Sequence, residues 1–167
     1  MTGDDIFNQT GNAYHCLIHP AQQGGVYSQA IARVISLARS VPEALIAAMI
    51  GGPSWRERLL GVCLGMSKQP ANLIQPMQRS LQAPRAIAIV PTWAALVVLT
   101  RGGFLRMADS FAGKFDRAAF DGEMGWAEDK ASYHAGLRPE PVPGRGPNYG
   151  QVFEEHLDFY TAITRTV

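Results

Sequence analysis

Ser54-Trp55-Arg56-Glu57-Arg58-Leu59-Leu60-Gly61-Val62-Cys63-Leu64-Gly65-Met66 is the stretch on which the reading of the fold turns. Ser54 and Glu57 stand at capping-box spacing, so each side chain can satisfy an orphan amide of the other's turn and start a helix here. Leu59, Leu60, Cys63 and Met66 then recur at i, i+1, i+4 and i+7, which gives that helix one apolar face to bury.

Upstream, Ser40 with Pro42 just inside opens a helix over Glu43 to Ile50, and Gly51-Gly52 stops it. Before that, Ser28 is placed to cap a helix with Ile31, Val34, Ile35 and Ala38 on one side. Residues 1–26 hold Asn8, Gly11, Asn12, Pro20, Gly24 and Gly25 without a sustained period, and read as irregular chain.

Downstream, Pro70 starts a helix with Ile74, Met77 and Leu81 on one face, ended by Pro84. The segment from Arg85 to Arg101 is apolar nearly all round, as expected of a central helix, with Trp93 in the core and a kink at Pro91. Gly102-Gly103 breaks it, and Phe104, Leu105, Ala108, Phe111, Ala112 and Phe115 form another stripe. Asp121 is placed to cap a helix running from Gly122 to about Leu137. Residues 138–150 contain four prolines and form a stiff connector. A last helix over 151–167 aligns Val152, Phe153, His156, Leu157, Tyr160 and Ile163.

The chain is therefore expected to be all-α: one domain, 1–167, of stacked antiparallel helical hairpins. Its parts are an irregular N-terminal segment (1–26), a helical stack (27–137), the connector (138–150) and a C-terminal helix (151–167). Connections of two to five residues favour packing between neighbours in sequence.

Composition agrees with a globular core, since 47% of the 167 residues are hydrophobic and 17% charged. A formal net charge of +1 provides no drive towards nucleic acid or anionic lipid, and neither is expected as a partner. The acidic start Met1-Thr2-Gly3-Asp4-Asp5 lacks a signal peptide's basic and apolar parts, and the apolar run 86–100 is too short to span a bilayer. The expected location is cytoplasmic. Cys16 and Cys63, the two cysteines, sit among apolar residues and read as core-filling thiols.

No phosphate loop or nucleophile elbow is present: Gly144-Arg145-Gly146-Pro147 has proline where backbone donors are needed. His15, Cys16 and His19 have partial metal-ligand spacing but lack a fourth ligand, so no metal or cofactor is assigned. A nucleophile pair Cys16–His134 is the enzyme alternative, with no local feature to support it; no catalytic residue is assigned. The acids Asp121, Glu123, Glu128 and Asp129 suit a helix N-terminus and its solvated side. Residues of the types that anchor protein interfaces are Trp55, Arg56, Arg58, Arg101, Trp126 and Tyr133.

The stretch 54–66, with the helices expected after it at 70–81 and 87–99, resembles bacterial HEAT-like helical-repeat proteins of uncharacterised families. Phe120-Asp121-Gly122-Glu123-Met124-Gly125-Trp126-Ala127 resembles the acidic-aromatic helix start that such proteins carry. The resemblance covers 54 to about 137 and shows no exact repeat period. It implies a non-enzymatic binding protein, and specifically an immunity protein that occludes the active site of a cognate toxin. On that reading Asp121, Glu123, Glu128 and Asp129 form an acidic patch with Trp126 and Tyr133 as anchors, and complementary charge speeds association. A helical adaptor or peptide-binding scaffold with no toxin is the alternative.

Overall fold

In the computed structural model the described residues are 2–11, 13–21, 25–68, 71–100 and 149–165. Among them every regular element is a helix, as expected for an all-α chain: α1 (Gly3–Thr10), α2 (Ala13–Ile18), α3 (Gly25–Ala38), α4 (Glu43–Ile50), α5 (Trp55–Lys68), α6 (Ile74–Gln82), α7 (Ile89–Leu99) and α8 (Tyr149–Arg165). Short 3-10 turns, Ala71–Leu73 and Ala86–Ala88, lead into α6 and α7.

The N-terminal segment is not irregular as expected; it carries α1 and α2. The Thr2 hydroxyl accepts the Asp5 amide at 3.2 Å while the Asp5 carboxylate accepts the Thr2 amide at 2.6 Å. This is the capping box with aspartate in place of glutamate. The Thr2 contacts hold the Asp5 carboxyl below the usual range. Gly11 ends α1 at φ 56°, a left-handed conformation that costs glycine little, and its amide donates to the Phe7 carbonyl at 2.8 Å. Ile6, Ala13 and Leu17 then reach the core from this segment.

α5 is the most enclosed helix, and the 85–101 segment is also packed on several sides as expected, α7 having no exposed residue and meeting α5, α6 and α8. Every residue from Arg58 to Ser67 is buried. The helix contacts α2, α3, α4, α7 and α8, drawn from both ends of the chain, whereas in a row of stacked hairpins each pair meets only its neighbours. Its glycines make this enclosure possible. A Cβ built on Gly61 would lie 2.8 Å from the Ile50 nitrogen and 2.9 Å from the Met49 Cβ, so the end of α4 rests on bare backbone. One turn on, a Cβ at Gly65 would meet the Leu73 Cδ1 at 2.9 Å.

The start of α5 keeps the expected partners with one change. The Glu57 carboxylate accepts the Ser54 amide at 3.3 Å, but the Ser54 hydroxyl takes the Arg56 amide at 3.2 Å, one residue earlier than in the standard box.

α4 has the expected bounds, but Pro42 occupies its cap position, and the Ser40 hydroxyl instead donates to the Leu37 carbonyl at the end of α3 at 2.9 Å. α3 begins at Gly25, so Ser28 lies inside its first turns and does not cap it. Pro91 produces no kink at mid-helix, because α7 begins at Ile89 and the proline occupies the first turn, where amides have no partner within the helix. Trp93 is half-buried and not in the core. The expected stripe on the last helix is present: His156, Tyr160 and Ile163 are buried, and α8 packs mainly on α7 and also on α5. The expected stripe 104–115, the helix 122–137 and most of the connector 138–150 lie outside the described residues.

Candidate functional site

α1, α2 and the start of α5 bring a group of rings together. Phe7 and Tyr14 meet edge-on with centroids 6.2 Å apart, and Tyr14 meets Trp55 edge-on at 5.8 Å. Into this group the Arg56 guanidinium is laid, 4.7 Å from the Trp55 ring centroid and 5.5 Å from that of Tyr14. Arg56 stands in the first turn of α5, the end of a helix dipole that disfavours a cation, so the aromatic faces supply the attraction that holds it there. Its Nε is shut from solvent and makes no hydrogen bond, while the side chain as a whole keeps part of its surface.

The sequence-predicted interface residues separate on this basis. Trp55 is 7% exposed, so its ring is mainly packing against α2. Arg56 and Tyr14 keep accessible surface. Arg58, expected to face a partner, is 5% exposed and turned inward. Its Nε donates to the Gly52 carbonyl at 2.6 Å, and Nη1 donates to the Ser80 carbonyl at 3.0 Å, the Ser80 hydroxyl at 3.1 Å and the Ala83 carbonyl. Those last acceptors lie at the C-terminal end of α6, where carbonyls lack helical partners and the dipole favours a cation. The sequence showed an arginine on a helix start; it did not show that another helix ends beside it. Arg101, Asp121, Glu123, Trp126, Glu128, Asp129 and Tyr133 lie outside the described residues, as does His134.

α2 has one further anchor. The fully buried His156 of α8 places Nε2 2.9 Å from the Leu17 carbonyl, at the C-terminal end of α2. Beside it the Glu155 carboxylate lies 3.5 Å from His19 Nδ1. Helix α2, which carries Tyr14, is thus held against α8 through its end as well as against α3 and α5 through its side. Tyr14 and His156 were not singled out as site residues from sequence; their roles depend on contacts between distant parts of the chain.

The two thiols are free and buried. Burial raises Cys16 above the usual thiol value, and raises Cys63, which is wholly enclosed, to about 12. Burial also pushes the Tyr160 hydroxyl well up, with Cys63 acting in the same direction. Both shifts disfavour thiolate, the form a nucleophile needs. At pH 8 a thiol at about 12 is ionised to roughly one part in ten thousand. In a Cys16→Ser variant, Cys63 is therefore expected to react with a disulfide reagent such as DTNB only on denaturation. Prompt stoichiometric labelling of the folded protein would show that the core around Cys63 is open.

Among the described residues, no group of three or more His, Cys, Asp or Glu side chains is placed to hold a metal ion. No helix among them is long and apolar enough to cross a membrane. Compared with protein-family models, with curated proteins and with solved structures, the chain matches none.

Proposed function

We propose that this protein acts by binding another protein, and that the partner is a bacterial toxin whose active site it occludes, as a cytoplasmic immunity protein without a cofactor. The observation that supports a binding role is the grouping of Arg56 with Trp55 and Tyr14: its guanidinium lies on both rings, and Arg56 and Tyr14 each keep part of their surface. Arginine, tryptophan and tyrosine dominate interface hot spots because they bury large area with few freely rotating bonds. Toxin neutralisation rests on the resemblance of residues 54–137 to bacterial HEAT-like helical-repeat proteins of uncharacterised families, some of which serve as immunity proteins. In this reading the acidic run Asp121, Glu123, Glu128 and Asp129, with Trp126, Tyr133 and Arg101, belongs to the same contact surface.

The test is affinity capture from native cells with the tagged chain, followed by co-expression. The expected result is one stoichiometric partner that arrests growth when expressed alone and is harmless beside this chain. A captured partner without toxicity would leave the adaptor reading in its place. Recovery of none by a folded protein would remove both. Reversal of Glu128 and Asp129 to lysine is expected to weaken the captured complex at least tenfold, about 1.4 kcal/mol. Unchanged affinity rules out the acidic patch.

A further inference from the structure

We draw no further inference here: the strongest candidate, the side-chain cluster of His19, Glu155 and the buried His156 where the end of α2 meets α8, is accounted for by the anchoring of α2 already described, and among the described residues no group of three ligating side chains is placed to hold a metal ion there.

Discussion

An Arg58→Ala variant is expected to lose about 3–5 kcal/mol of stability, because several buried carbonyls are each left without a charge-assisted hydrogen bond at about 1–3 kcal/mol apiece. Three main-chain carbonyls, those of Gly52, Ser80 and Ala83, lose a cationic donor at once, and the space left by the side chain must either stay empty or collapse. The damage is local in origin and wide in reach. Gly52 belongs to the link between α4 and α5, whereas Ser80 and Ala83 lie at the end of α6, so one guanidinium ties α5 to the segments before and after it in the chain. Arg58→Lys is expected to fall between, since an ammonium group cannot span acceptors arranged for a fork. Urea unfolding followed by circular dichroism measures the difference. At roughly 2–4 °C per kcal/mol for a chain of this size, the alanine variant should melt on the order of 10 °C lower. A loss below about 1 kcal/mol would mean that water takes over these carbonyls, and the clamp would then be a minor element.

A Gly61→Ala variant is expected to be destabilised by about 1–3 kcal/mol even though alanine is the better helix former by about 1 kcal/mol. The reason is what the added methyl meets: the Ile50 nitrogen at 2.8 Å and the Met49 carbonyl carbon at 3.1 Å are main chain and cannot swing aside. Helix α4 must back away from α5, which loosens Ile46, Met49 and Ile50 together. Gly65→Ala is the control on the same helix. Its methyl meets the ends of Leu73 and Met77, at 2.9 and 3.4 Å, and flexible side chains adjust at lower cost. That cost and the helix-propensity gain nearly cancel, so little net change is expected. Thermal melts of both variants decide the matter. If Gly65→Ala proves the more harmful, the tight contact of α5 is at Leu73 and not at the end of α4.

Helical character was legible wherever the apolar spacing was carried by several residues in succession. Val34 and Ala38 on α3, Met77 and Leu81 on α6, and Tyr160 and Ile163 on α8 all lie buried on the face their spacing predicts. The misreadings came from chemistry that depends on position. Pro91 breaks a helix from inside but starts one from its first turn, and only the location of Ile89 as the beginning of α7 distinguishes the two. Thr2 and Asp5 form a cap that falls outside the Ser/Thr-x-x-Glu/Gln pattern, and Gly11 is a helix stop and not a mark of irregular chain. The enclosure of α5 was not legible in its own pattern because burial depends on neighbours. Its two glycines, which lower helix propensity in isolation, allow close approach by the end of α4 and by Leu73 in the turn before α6.

The candidate site was legible in part. Trp55 and Arg56 were picked out by residue type, but Tyr14, which completes the group, comes from a segment read as irregular. Arg58 shows the limit of that reasoning, since a charged residue at a helix start is ordinarily at the surface. What turned it inward is the end of α6, a contact between residues 22 and 25 positions apart that no local pattern encodes.

The contact between His156 and Leu17 joins residues 139 positions apart, and the helix that makes it is also the main cover of α7. During synthesis, then, α1 through α7 have all been made before the element that anchors the end of α2 has been made. The flank of α7 that α8 will occupy must wait, at about 5–20 residues per second, for roughly three to thirteen seconds. For that interval the nascent chain carries an unfinished apolar surface. Chaperone binding to ribosome-bound chains halted before residue 149 should therefore be strong, and should fall away once the last helix has cleared the exit tunnel.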